Sequence, residues 1–163
     1  MTGGSRPSPD GVRRATTRDL DRVTALWTAI THHHAPLDPL FRMRPDAEDA
    51  LRDLLGQLHR DPDAAIFVYD EAGDLPGMCI VKIDYSPPIM EEVVRAEITD
   101  LGVREGERRR GIGGVLVDEA LAWVVEKGVL RVEVQVATGN VEGQAFWRSR
   151  GFGSVIDVLH KRL

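Results

Sequence analysis

The sequence predicts a single mixed α/β (α+β) domain with six to seven strands and about four helices. Three observations carry this expectation. The hydrophobic period switches along the chain between about 3.6 and 2 residues, giving the order β-α-α-β-β-β-α-β-α-β. The 163 residues, 42% of them hydrophobic, are enough for one substantial core and leave little room for a second. A glycine-rich joint, Gly111-Ile112-Gly113-Gly114, hands a strand pattern over to a helical one.

Residues 1–10 combine Gly, Ser, Pro and Asp with nothing to bury and are expected to form a disordered leader, so the domain spans 11–163. Val12 to Ala15 is a short first strand. Thr17 is the N-cap candidate for a helix in which Leu20, Val23, Leu26, Trp27 and Ile30 keep the helical period. The stretch from His32 to Pro45 holds three histidines and three prolines and reads as a loop. From Asp46 to Leu58 a second helix would turn Ala50, Leu51, Leu54, Leu55 and Leu58 inward. The apolar runs AAIFVYD and MCIVKIDY, separated by DEAGDLPG, predict two antiparallel strands.

VVRAEITDLGV is a long further strand. Unbroken alternation would put Glu97, Thr99, Leu101 and Val103 on one face and Ile98 and Asp100 on the other. After the glycine joint, Leu116, Ala120, Leu121, Val124 and Val125 lie at helical spacing before Gly128 stops the helix. Leu130, Val132, Val134 and Val136 alternate as a strand, Val141 to Arg150 reads as a short helix, and FGSVIDVLHKRL offers one or two closing strands.

Composition excludes several functions. A net charge of -5 and a pI near 5.5 argue against nucleic-acid binding through a general basic surface. No apolar run approaches the roughly 18 to 20 residues of a membrane span, and the first residues lack a signal-peptide core, so a soluble cytoplasmic protein is expected. Cys79, the sole cysteine, permits no intrachain disulfide or cysteine-cluster zinc site. It reads as a small buried apolar residue rather than a nucleophile. Adjacent His32, His33 and His34 point in different directions on a helix end, so no metal site is expected.

The glycine joint has its own chemistry. The first N–H groups of a helix lack intrahelical partners and lie at the positive end of its dipole. Gly111, Gly113 and Gly114 let an anion approach the main chain, and Arg108, Arg109 and Arg110 add charge beside it.

Two motifs read together resemble the GNAT superfamily of acetyl-CoA-dependent N-acetyltransferases. Arg108-Arg109-Arg110-Gly111-Ile112-Gly113 is similar to that family's R/Q-x-x-G-x-G/A signature, preceded by the strand ending Leu101-Gly102-Val103. Asn140, Ala145-Phe146-Trp147 and Gly151-Phe152 are similar to its N-x4-A-F-Y-x3-G-F. The resemblance covers nearly all of residues 11–163. It implies a mostly antiparallel central sheet, splayed in the middle, with the helices on its two faces.

It also implies a site. Residues Arg108 to Gly114 would hold the pyrophosphate of acetyl-CoA, and the main chain of Leu101, Gly102 and Val103 would pair with the pantetheine amides, with Gly102 allowing close approach. Asn140 would face the pantetheine arm, serve as an N-cap, or do both, and Phe146 belongs to the same motif. A primary amine of a small molecule, peptide or protein would attack the thioester directly, through a tetrahedral intermediate. Glu97 is the first candidate for the base that takes the amine's proton, and Asp100 the second.

A backbone N–H near Val103 would meet the oxyanion. Trp147 stands where many relatives carry a tyrosine that protonates the leaving thiolate. An indole cannot supply that proton, leaving Ser149, unaided departure, or a noncatalytic acyl-CoA-binding module. Asp38, Glu91 and Glu92 are candidates to attract a cationic amine. A homodimer stays open, and neither a metal, a membrane nor a nucleic acid is expected as a partner.

Overall fold

Sheet order follows chain order in the computed structural model, which describes residues 8–163. The elements are β1 (Val12–Arg14), α1 (Leu20–His34), α2 (Ala47–Arg60), β2 (Ala64–Glu71), β3 (Asp74–Tyr85), β4 (Val94–Val103), α3 (Ile112–Glu126), β5 (Val132–Val134) and α4 (Val141–Ser149). Of the leader expected over 1–10, residues 1–7 lie outside the described residues, and Pro9–Gly11 form a 3-10 turn.

β1 to β4 pair antiparallel, and β5 joins β4 in parallel. The β2–β3 hairpin turns on Ala72 and Gly73, both at positive φ (54° and 87°), as a tight two-residue turn requires. β3 therefore starts at Asp74, earlier than its apolar run suggests.

The sheet is covered on both faces. Ala65, Phe67, Cys79, Val81, Ala96 and Ile98 pack against Ile112, Leu116, Val117, Ala120 and Val124 of α3 and Trp147 of α4. Ile66, Val68, Met78 and Ile80 pack on the other face against Leu20, Val23 and Leu26 of α1 and Leu51 and Leu55 of α2. Burial on both faces explains why β2 reads as an unbroken apolar run. Each large aliphatic side chain so buried contributes about 1.5 to 3 kcal/mol.

Several expectations are corrected. Thr16, not Thr17, caps the chain's entry to the first helix, and a 3-10 turn (Thr17–Asp19) precedes α1. Ala50 and Leu54 face solvent, because α2 needs only a narrow apolar stripe, set by Leu51 and Leu55. Leu130 and Val125 are exposed as well. Among the described residues the sheet has five strands, fewer than the six to seven expected, since 152–163 form no strand. Val155-Ile156 and Val158-Leu159 place apolar residues side by side, so either strand face would leave half of them outside; all four are exposed.

The most consequential correction is in β4. Ile80 pairs with Asp100 while the next residue, Val81, pairs with Ile98, so Thr99 is an extra residue in a bulge. The bulge reverses the alternation. Ile98, Leu101 and Val103 now share the α3 face, and Glu97 and Asp100 share the α1 face rather than opposing each other.

The entry to α1 is tied down by Asp19, which is 1% exposed. Its carboxylate accepts from Arg13 at 2.7 and 3.0 Å, Arg22 at 2.6 Å, and both the N–H and hydroxyl of Thr16 at 2.7 and 2.9 Å. The hydrogen bond from Arg13 is the main cause holding Asp19 well below the ordinary carboxylate range. Asp19→Ala should cost about 2 to 3 kcal/mol, read as a fall in melting temperature of about 5 to 10 °C. A depressed carboxylate stabilises above its unfolded pKa, so this advantage is complete above about pH 5 and drains away as pH falls below about 4. Melting curves of wild type and variant should therefore converge in acid; a constant gap down to pH 2 would refute the linkage.

Candidate active site

β4 and β5 pair only from Ala96↔Val132 to Ile98↔Val134. Beyond Ile98 the two strands diverge, and a cleft of about 1080 Å³ opens between Thr99–Val103 on one side and Gln135–Ala137 on the other. The bulge at Thr99 lies at the start of this divergence, where extra twist helps turn β4 away from its neighbour. Leu101, Gly102 and Val103 line the cleft, as expected, along a β4 edge that no strand covers among the described residues.

The cleft leads to the start of α3. The first helical hydrogen bond runs from the Val115 N–H to the Gly111 carbonyl at 3.2 Å, so the N–H groups of Ile112, Gly113 and Gly114 precede the ladder. Gly111 sits at φ 88°, a left-handed conformation that favours glycine and turns the chain into the helix. Gly111 to Gly114 all line the cleft. A Cβ on Gly113 would meet Phe146 at 3.7 Å and Leu101 at 3.8 Å, ordinary contacts, so that side of the cradle is closed by Phe146.

The three arginines separate. The Arg108 side chain lines the cleft, donates to the Val103 carbonyl at 3.1 Å, and lies 3.0 Å from His33 Nε2. Arg109, at φ 63°, is 89% exposed on the cleft rim with Glu142 3.8 Å away. Arg110 does not reach the cleft: its guanidinium is bound by Glu71, at 2.6 and 3.1 Å, and by Glu107. The left-handed backbone at Arg109 breaks the run, so consecutive side chains part company. Arg110 braces the loop against the β2–β3 hairpin.

Asn140 caps α4, its Oδ1 accepting from the Gly143 N–H at 2.9 Å, while its Nδ2 lies 3.3 Å from His34 Nε2. It also lines the cleft, so capping and cleft-facing roles coexist. Burial, then the neighbouring His33, lowers the pKa of His34, which keeps the ring neutral and able to accept from Asn140. Gly102 has a packing reason to be glycine: a Cβ there would lie 1.9 Å from Ile30 Cδ1 on α1.

The two carboxylate candidates also separate. Glu97 is engaged by Lys82 at 3.5 Å and Gln135 at 3.3 Å and is not among the cleft-lining residues. Asp100 lines the cleft, and its Oδ1 accepts from the Trp27 indole N–H at 2.6 Å. Burial pushes the Asp100 carboxyl above the ordinary carboxylate range, against the lowering effect of hydrogen bonds from Thr99 and Trp27. Sequence reading missed Trp27 as its partner, because the pattern marks that residue only as part of a helix's apolar face.

Trp147 is 7% exposed and packs edge-on between Phe146 and Phe152, with ring centroids 5.1 and 4.9 Å away. It belongs to the core as much as to the cleft. The Ser149 hydroxyl donates to the Phe146 carbonyl at 2.7 Å. Cys79 is fully buried and burial pushes its thiol far up, in keeping with an inert core residue.

The acceptor side differs from expectation. The Asp38 carboxylate caps the 3-10 turn Pro39–Phe41, accepting from the Leu40 N–H at 2.7 Å, and Glu92 pairs with Arg131 at 2.9 Å. Neither these nor Glu91 line the cleft; Leu40, Phe41, Arg42 and Met43 do. Among the described residues no group of three potential metal ligands occurs, and no helix is long and apolar enough to cross a membrane.

Known proteins resemble this chain in sequence and in fold. The chain is 30% identical over 152 residues to a mycothiol acetyltransferase of Propionibacterium freudenreichii, and 30% identical over 154 residues to one of Beutenbergia cavernae. These matches cover 90% and 91% of the chain but 45% and 48% of the relatives, so it spans about half their length. Among solved structures, a protein of Bacillus halodurans superposes with a TM-score of 0.83 at 21% identity, covering 93% of this chain and 99% of that one. An aminoglycoside 6'-N-acetyltransferase of Acinetobacter haemolyticus gives 0.74 at 18% identity, covering 93% and 97%. The model of the acetyltransferase (GNAT) family matches residues 24–152, and the chain belongs to that family.

Proposed function

We propose that the protein is an N-acetyltransferase that moves the acetyl group of acetyl-CoA directly to a primary amine of a small molecule or peptide. One observation carries this reading: the unpaired edge of β4 runs straight into the Gly111–Gly114 cradle. An open main-chain edge suits the amides of a pantetheine arm, and a helix N-terminus at its end suits a pyrophosphate. Bound there, acetyl-CoA supplies an activated acyl thioester.

The chain's own residues do the rest. Ile112, Gly113 and Gly114 offer N–H groups to the pyrophosphate, with Arg108 and Arg109 beside them. The open β4 edge near Val103 offers N–H groups to the charge that develops on the acetyl oxygen. Asp100 takes the proton of the attacking amine. Its raised pKa makes it a stronger base than an exposed carboxylate, and Trp27 fixes its orientation. Glu97, held by Lys82 and Gln135 outside the cleft, is the weaker candidate. The leaving thiolate departs without a dedicated acid, since Trp147 has no proton to give and the Ser149 hydroxyl is engaged with Phe146. An indole that cannot protonate the thiolate also favours the second reading, a noncatalytic acyl-CoA-binding module.

Calorimetry with acetyl-CoA and thiol release across an amine panel test the proposal. Gly113→Leu, whose side chain would stand over the cradle, should weaken acetyl-CoA binding about tenfold or more with the protein still folded. Unchanged affinity would move the cofactor elsewhere.

Asp100→Asn should lower kcat/KM by about 100-fold to 10,000-fold while acetyl-CoA binding persists. The wild-type rate should fall in acid as Asp100 is protonated, along a limb lying above the ordinary carboxylate range and missing from the variant. A larger loss for Glu97→Gln than for Asp100→Asn would reverse the assignment. Acetyl-CoA binding with no amine-dependent thiol release would favour the noncatalytic module.

A further inference from the structure

The acceptor half of the cleft is walled by Trp27, Ile30, Leu40, Phe41 and Met43, a largely apolar set. The cleft's carboxylates are Asp100, Glu107 and Glu142. Glu107 is bound by Arg110, and Glu142 stands on α4 beside Arg109, both at the cofactor end. Asp100 is therefore the one carboxylate left for the acceptor half among the described residues, and it is half-buried and already bonded to Trp27. Arg42 lines the same half, with no ion pair to any described residue. His33 and His34 stand there too, one against Arg108 and the other accepting from Asn140.

Polycations need several carboxylates spread along a site, because each ammonium that leaves water must find a counter-charge. This wall offers a single base for one amine, apolar surface for a carbon body, and an uncommitted guanidinium. A guanidinium binds carboxylates strongly and geometrically.

Resting on the acetyltransferase reading, we propose that the acceptor is a primary amine with an apolar body that also carries an anionic group, a carboxylate being the simplest. The amine is presented to Asp100, the body lies against Phe41 and Met43, and the anion is held by Arg42. An aminoglycoside or polyamine is disfavoured by the same charges.

Thiol release with acetyl-CoA tests this on a panel of phenylalanine, 6-aminohexanoate, phenethylamine, hexylamine, spermidine and kanamycin. The expected result is a higher kcat/KM for at least one carboxylate-bearing amine than for its counterpart without the carboxylate and for both polycations. In Arg42→Glu the ratio of carboxylate-bearing to carboxylate-free amine should fall about tenfold or more through KM, and Arg42→Lys should restore part of it. Calorimetry with acetyl-CoA confirms that each variant is folded and cofactor-competent. A polycation as the best acceptor, or a ratio that Arg42→Glu does not move, overturns this inference and leaves the acetyltransferase reading standing. Release with no amine at all overturns both.

Discussion

The parting of β4 from β5 after Ile98 is the constraint on which the site depends. A parallel pair normally continues until a strand ends, since buried main-chain groups left without partners are costly. Here pairing covers only three residue pairs, and the bulge at Thr99 sits at the end of the paired stretch. The result is a strand whose inner edge is paired to β3 at every residue but Thr99, while beyond Ile98 its outer edge faces a cleft. Such an edge would be a liability on an open surface. Lining a cleft rather than an open surface, it is less accessible to other chains.

The same bulge sets the electrostatics. By adding one residue it brings Asp100 onto the face covered by α1, next to Trp27 and in register with Ile80. Burial there raises the carboxyl's pKa, while the indole N–H prevents the group from being orphaned. α1 can lie this close only because Gly102, two residues further along, leaves room for Ile30. A single packing contact thus supports both the wall of the cleft and the placement of its half-buried carboxylate.

Much of this was legible in the sequence, and the rest was hidden for identifiable reasons. The four helices, the hairpin and the glycine cradle follow from periodicity and from residues with special backbone freedom, both local properties. The bulge is not local. Nothing in AEITDLG distinguishes regular alternation from an extra residue, because the shift is decided by pairing with Ile80 and Val81 on another strand. The face assignment of Glu97 and Asp100 therefore had to fail. Leu54 and Leu130 failed for a related reason: periodicity marks which residues could be buried, while the sheet's limited area decides which ones are. The closing strands were predicted from β-branched content alone, without a face on which to bury it.

The arginine run shows how far side-chain charge and anion binding can part. Of the three, Arg110 neutralises Glu71 and Glu107, Arg108 is shared with a main-chain carbonyl and His33, and Arg109 is largely in solvent, where its attraction is screened. In the proposed reading the cradle would hold phosphate chiefly through the N–H groups at the start of α3, fixed dipoles that need no rotamer ordering. A chain of net charge -5 could keep such an anion site, since the relevant field is made by the backbone within one helical turn. The glycines would then set how closely an anion approaches those dipoles, and a dipole's field falls off faster with distance than a charge's.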